Sequence, residues 1–453
     1  MAVIELDLAA QPDPPLSSPP PAYRYRVPGL ILVAVLALAL GGAAPAVPTM
    51  WRFLGEVPVD ASAESPFQLA GGKVYTVGLD GADRLATAWI MAEPPRKLWT
   101  TRFPARVIGP DEVRFGGLIA RQAGDVVLLS DGPATTAVDV RTGAVRWSSR
   151  AWVDLLGGGR LGVVREPVFR PGTVYDQASG EPGALYFSAT GEPHVEPPIR
   201  TEVRGLDLRT GDELWQAALP GAVNVFAAPG RAPAVLVLAS DRIERLAGET
   251  GALDRRISLP EPYGDGVSGG ELVGDLLLVR YGDYQSKGYE MAYTADTLDL
   301  RWHREVPAIL FDPPRCDYLI CAGPRAALDV IDPATGKVAW RARADVDLAR
   351  QAGYVVEYDE ETGAPERLAD AATGAVRVPL DGWTAELSPE PDLPVVLRMP
   401  GKEGRSVFGT VLADRDRVQI LGETSGPISD CTADRAHVVC RGLERLLIWA
   451  YRA

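Results

Sequence analysis

Hydropathy divides the chain into unlike stretches. Val27 to Val47 (VPGLILVAVLALALGGAAPAV) runs without a charge; at ~1.5 Å per residue it makes about 30 Å of helix, enough to cross a hydrocarbon core. Beyond about residue 60 the pattern changes to short apolar or alternating runs bounded by Gly, Pro and Asp. Such runs predict strands joined by tight turns, and no sustained 3.6-residue period predicts a helix there.

A single pattern recurs within this strand-rich region. Ala137 to Trp147 reads AVDVRTGAVRW, Gly205 to Trp215 reads GLDLRTGDELW, and Val330 to Trp340 reads VIDPATGKVAW. Each Asp (Asp139, Asp207, Asp332) is followed three residues later by Thr, four later by Gly (Gly143, Gly211, Gly336) and eight later by Trp (Trp147, Trp215, Trp340). Every position has a mechanical reason. The carboxylate accepts backbone N–H bonds of the turn that it opens, the glycine supplies positive φ for a bulged hairpin, and the indole packs from the returning strand onto a neighbouring unit.

Weaker copies keep Thr250 and Gly251, Thr297 and Trp302, and Asp370, Thr373 and Gly374; fainter echoes end at Trp99 and Leu421. Counted at the Asp position the turns fall at 91, 139, 207, 247, 294, 332, 370 and 413. The 68-residue gap from 139 to 207 holds a Pro- and Gly-rich insertion, Arg165 to Pro198; the other intervals are 38 to 48 residues. Strand-built repeats of this period predict an all-β propeller, whose blades cannot bury both faces alone. The coda from Cys431 supplies strands but no further turn, and Met50 to Val57 reads as a lone outer strand that would close the ring. Eight four-stranded blades are expected, with seven as the alternative, since one faint echo is read as less than a full blade.

Composition adds partners and an address. The 47 Gly and 39 Pro suit a turn-dense protein, and a net charge of −14 argues against nucleic acid. Residues 1–26 form a Pro-rich tail expected to be disordered and cytoplasmic, because Arg24 and Arg26 precede the apolar run. Residues 27–47 are then a single-pass signal anchor, and 50–453 an extracytoplasmic propeller. A cleaved signal peptide remains the alternative, as Ala44-Pro45-Ala46 resembles a small-residue cleavage site. In an exported chain the local pairs Cys316 with Cys321 and Cys431 with Cys440 read as disulfides clipping hairpins.

The D-x-x-T-G-x-x-x-W turn resembles the repeat of pyrroloquinoline-quinone (PQQ)-like β-propellers. That family includes quinoprotein alcohol dehydrogenases and the propeller subunit of the outer-membrane β-barrel assembly machine; the anchor and paired cysteines resemble its anchored actinobacterial members. The dehydrogenase branch would imply PQQ, calcium, a catalytic Asp and often adjacent cysteines. This chain has no adjacent cysteines, and its recognisable Asp residues sit in turns. The acidic run Tyr358 to Glu361 reads as a solvated hairpin tip. Gly157 to Gly162 matches G-x-G-x-x-G and Gly266 to Gly270 matches G-x-S-x-G, but a strand follows each where a helix is needed. No catalytic, cofactor or metal residue is therefore assigned. The expectation is a non-catalytic scaffold or sensor for a protein or cell-envelope ligand, contacted through a propeller face and the Arg165 to Pro198 insertion; the alternative is a PQQ-dependent oxidoreductase with diverged ligands.

Overall fold

Burial on both faces shapes the strands. Val126–Ser130 (VVLLS) and Ala234–Leu238 (AVLVL) are buried at every position, because a sheet sandwiched between two others needs apolar residues on both sides. Outer strands revert to mixed patterns, as in Glu213–Pro220, where Trp215 is buried between exposed neighbours.

The computed structural model describes residues 51–59, 66–80, 83–104, 118–132, 134–169, 186–187, 193–194, 198–230, 232–260, 266–282, 288–306, 315–412 and 416–452. Its strands belong to the compact unit Met50–Ala453. In chain order they form blade 1 (67–104), blade 2 (119–149), blade 3 (153–220), blade 4 (224–258), blade 5 (267–306), blade 6 (321–341), blade 7 (346–379), blade 8 (385–424) and blade 9 (429–451). The outer strand of blade 9 is Trp51–Pro58, paired antiparallel with Arg445–Tyr451. A short hairpin, Tyr186–Phe187 with Pro193–His194, stands apart from the blades.

Nine apolar clusters each join two consecutive blades, and one of them, built on Leu54, Val57, Val74 and Ile448, joins blade 9 to blade 1. The ring therefore has nine blades, neither eight nor seven. The expected count fell short because the faint echoes ending at Trp99 and Leu421 are complete four-stranded sheets. No helix among the described residues is long and apolar enough to cross a membrane. The 27–47 segment lies outside the described residues, as do the 1–26 tail and most of the Arg165 to Pro198 insertion.

Five of the nine junctions share one repeated dock. The Trp of a blade lies over the Gly of the next blade's turn and donates its indole N–H to the carbonyl three residues before that glycine. Trp99 bonds Val140 O at 3.1 Å, Trp147 bonds Leu208 O at 2.8 Å, Trp215 bonds Gly248 O at 2.8 Å, Trp302 bonds Pro333 O at 2.9 Å and Trp340 bonds Ala371 O at 3.1 Å. A Cβ on Gly143, Gly211, Gly251, Gly336 or Gly374 would come within 2.6 Å of the facing ring.

Where the Trp is missing, the glycine is missing too. Blade 4 carries Arg255 at the Trp position, and Leu298 takes the glycine position of blade 5 at φ +56, buried in the shared core. Arg255 instead pairs with Asp299 of that turn at 3.3 Å. Between blades 9 and 1 the sizes invert: Gly55 stands opposite Pro95.

The cysteines pair as expected but do different work. Cys431–Cys440 clips the two inner strands of blade 9. Cys316–Cys321 does not clip a hairpin: Cys316–Asp317 pairs in parallel with the first strand of blade 7, whereas Cys321–Ala322 belongs to blade 6. Blade 6 is left with three strands and blade 7 has five.

Gly211→Ala should lower stability by about 3 kcal/mol, combining a left-handed alanine with a clash against Trp147. Gly221, at φ +72 with nothing within 4 Å, isolates the backbone contribution, and Gly221→Ala should cost about 1 kcal/mol. Denaturant unfolding of both variants measures the difference; equal costs would show that the indole contact contributes nothing.

Candidate functional site

Alternating strand direction gives the ring two unlike ends. The turns joining first to second and third to fourth strands are short, apart from 387–395 in blade 8. The connections joining second to third strands and successive blades include 105–118, 169–199, 259–266 and 282–287. Long connections thus gather on one face, and the D-x-x-T-G turns that join third to fourth strands stand on the other.

The turn carboxylates are used up in their turns. Asp139 Oδ1 accepts the N–H groups of Arg141 and Thr142, each at 2.9 Å, and the Thr142 hydroxyl at 3.0 Å. Asp207 accepts from Arg209 N at 2.8 Å, and Asp332 from Ala334 N at 2.9 Å and Thr335 Oγ1 at 2.7 Å. These bonds hold the carboxyls of Asp139 and Asp332 below the usual carboxylate range, with Arg146 adding the largest effect at Asp139. The two motif matches resolve as read: Gly157–Gly159 is a tight turn leading into strand Leu161–Val168, and Ser268 lies in strand Val267–Val273 with its hydroxyl on Arg280 O.

Two clefts open on the long-connection face. One, of ≈ 360 Å³, lies at the base of the insertion between blades 3, 4 and 5, with Arg165, Phe169, Asn224 and Ser240 in its wall. The other, of ≈ 450 Å³, lies among the innermost strands of blades 7, 8 and 9 and is lined by Arg315, Asp317, Asp347, Arg350, Tyr358 and Glu386 among others. It holds the more distinctive chemistry.

Glu386 sits in the short strand Ala385–Glu386. Its Oε1 accepts the backbone N–H of Ser388 at 2.7 Å and its Oε2 accepts the Tyr358 hydroxyl at 3.3 Å. Burial pushes its carboxyl up to about 7, against which these neutral donors act only weakly. Burial and the neighbouring Glu386 push the Tyr358 phenol up as well. Nearby, Arg315 Nε donates to Asp317 Oδ2 at 2.6 Å and its backbone N–H to Asp347 Oδ1 at 2.9 Å.

These residues do not fit a PQQ–calcium pair. A calcium site needs carboxylates free to bind the ion, whereas Asp317 and Asp347 are both engaged by Arg315. Among the described residues no three His, Cys, Asp or Glu side chains are placed to hold a metal ion.

Sequence reading passed over Tyr358, Glu386 and Arg315, which come from three separated segments with no shared motif. It read Tyr358 to Glu361 as a solvated hairpin tip, and the segment does lead into an exposed hairpin turn, but the repeat within that turn was missed. Asp359 in fact caps another copy of the repeat turn, accepting Thr362 N at 2.8 Å and Thr362 Oγ1 at 2.6 Å, with Gly363 at φ +66. The spacing Asp359, Thr362, Gly363 was the available signal.

A glutamate protonated near neutrality in the fold but ionised in the unfolded chain ties stability to pH. Its contribution is fully present below about pH 4.5 and is lost as pH rises to about 7. Relative to Glu386→Gln, the protein should lose about 1–2 kcal/mol across that window, after discounting for solvent admitted by the cleft. Paired denaturant melts at pH 5 and pH 8 measure it, and a pH-independent difference would contradict the assignment.

No curated protein matches the sequence. Among solved structures, BamB from Moraxella catarrhalis is 14% identical, with 88% of this chain and 98% of that chain covered and a TM-score of 0.39. The dihydro-heme d1 dehydrogenase NirN in complex with DHE is 15% identical, covering 87% and 85%, with a TM-score of 0.43. Sqt1 from Saccharomyces cerevisiae is 9% identical, covering 88% and 99%, with a TM-score of 0.40. Residues 48–259, just under half of the chain, match the family model described as outer membrane protein assembly factor BamB. The same turn continues beyond that match at Asp332 and Asp370, so the chain resembles PQQ-like β-propeller repeat proteins on both sides of the matched boundary.

Proposed function

We propose that this protein is a non-catalytic, membrane-anchored binding scaffold that presents its long-connection face to a protein or cell-envelope ligand outside the cell. The observation that carries the reading is the asymmetry of the ring. A frame stapled by five indole docks holds short turns on one face, and both clefts and the long connections on the other. Binding surfaces concentrate on loops that a rigid scaffold positions. The matched family is described as an assembly factor, and fold likeness alone assigns no chemistry. No PQQ or calcium is required in this reading.

The uncharged stretch at 27–47 supports the anchor, with the propeller outside, and the two disulfides agree with an oxidising compartment. Protease added to intact cells should remove the propeller and leave a small N-terminal stub; a fully protected chain would overturn the topology.

The face assignment has its own test. Photo-crosslinkers placed in cells at the exposed residues Ser240 and Thr384, on the long-connection face, should capture a partner. Crosslinkers at the exposed turn residues Arg141 and Glu249, on the opposite face, should not. Capture from the second pair alone would overturn the assignment.

A further inference from the structure

Among the described residues three glutamates are buried in the blades, and all three are satisfied in the same way. Glu244, 3% exposed, lies between Arg242 Nε at 2.8 Å and Arg256 Nη2 at 2.7 Å. Glu290, 2% exposed, takes Arg280 Nε at 3.2 Å and Arg304 Nε at 2.8 Å. Glu357, 0% exposed, takes Arg343 Nε at 3.0 Å and Arg367 Nη2 at 2.7 Å. Each of these three buried glutamates thus has two guanidinium groups, which offset the desolvation of its charge.

Glu386, half-buried in the wall of the second cleft, has no such pair. Its partners are the Tyr358 hydroxyl and the Ser388 N–H, both neutral, and among the described residues no Arg, Lys or His pairs with it. It is also the glutamate that lines an open cleft, one of ≈ 450 Å³. The missing cation position therefore faces solvent-accessible space.

The rest of the lining is consistent with a ligand that brings positive charge. The charged groups there are Arg315 and Asp317 from the segment before blade 6, Asp347 and Arg350 from the first strand of blade 7, and Glu386 from blade 8. With Glu386 ionised, three acids face two arginines, and Arg315 is already engaged by Asp317 and Asp347. Tyr318, at the same cleft, is an exposed aromatic held at φ +60. A bulky residue in the left-handed region is strained, and such strain gathers at ligand clamps. Tyr318 and Tyr358 offer ring faces of the kind that attract organic cations.

We propose that the cleft between blades 7 and 8 takes an ammonium or guanidinium group, which completes the partner set of the Glu386 carboxylate. The cation comes either from a free amine or from a lysine or arginine side chain of a docked protein. Binding a free amine would hold whether or not the propeller acts as a protein scaffold, so the two readings fail separately.

Binding converts a carboxylic acid with a pKa of about 7 into a carboxylate, so the proton leaves to buffer. The aromatic and charged groups that line the cleft with it are Tyr318, Tyr358, Arg315, Asp317, Asp347 and Arg350; Cys431 is bonded to Cys440 and does not titrate.

The test is isothermal titration of the full-length protein, in detergent micelles, with spermidine, with a capped Gly-Lys-Gly tripeptide and with inorganic phosphate. The proposal expects spermidine or the tripeptide to bind, about tenfold more tightly at pH 8 than at pH 6, releasing roughly half a proton at pH 7 in buffers of different ionisation enthalpy. Preference for spermidine identifies a free-amine site, and preference for the tripeptide identifies a side-chain site. Glu386→Gln, which keeps an acceptor for the Ser388 N–H, should weaken binding at least tenfold and abolish the proton release. Absence of cation binding at 10 mM and pH 8, binding of phosphate alone, or wild-type cation binding without proton release would each overturn the proposal. The proton-release measurement needs no variant, so a misfolded Glu386→Gln leaves the test intact.

Discussion

The structure depends on the fit of an indole over a glycine, which recurs at five of the nine blade junctions. A four-stranded sheet has two apolar faces and cannot stand alone, so each blade needs a neighbour on both sides. The Trp ring supplies area, its N–H fixes height and orientation through one carbonyl, and the glycine leaves room for it. At these junctions that contact sets how one sheet lies on the next, and the apolar clusters fill in behind it.

The exceptions show that complementarity, not tryptophan as such, is what the junction requires. Arg255 in the Trp position accompanies Leu298 in the Gly position and pairs with Asp299 beside it, and Gly55 faces Pro95, so a departure on one side accompanies a departure on the other. The junction between blades 8 and 9 is made differently again. Trp51 stacks on Phe408 at 4.9 Å and on Trp449 at 5.6 Å, and its ring lies over Gly422. The chain's two ends thus meet in an aromatic stack where the other blades use a covalent turn.

Much of this frame was legible in the residues because the dock writes four positions at fixed spacing. Asp139, Gly143 and Trp147 announce a turn and a neighbour in the primary sequence. The blade count was misjudged where the spacing relaxes: the turn before Trp99 contains Pro94 and Pro95 in place of Thr and Gly, and the hairpin of blade 8 runs past the bulge before it turns. The Cys316–Cys321 bridge was expected within a hairpin, since a sequence separation of 5 suggests one. Strand Cys316–Asp317 has joined blade 7, a long-range choice that local spacing cannot encode. The cleft was invisible for the same reason. Glu386, Tyr358 and Arg315 are unremarkable in sequence, and only the topology brings a carboxylate, a phenol and a guanidinium to one wall. What distinguishes Glu386 is a missing arginine, which only a three-dimensional comparison with Glu244, Glu290 and Glu357 reveals.

A rigid presenting frame requires a closed ring, and closure rests on the non-covalent pairing of Trp51–Pro58 with Arg445–Tyr451. Hydrogen–deuterium exchange of the full-length protein tests this directly. If the ring is closed as described, amides of 51–58 exchange as slowly as those of the central strand Arg445–Tyr451 and open together with blade 9. Fast exchange of 51–58 against a protected 445–451 would mean an open ring, and would contradict the account of this propeller as a rigid nine-bladed frame.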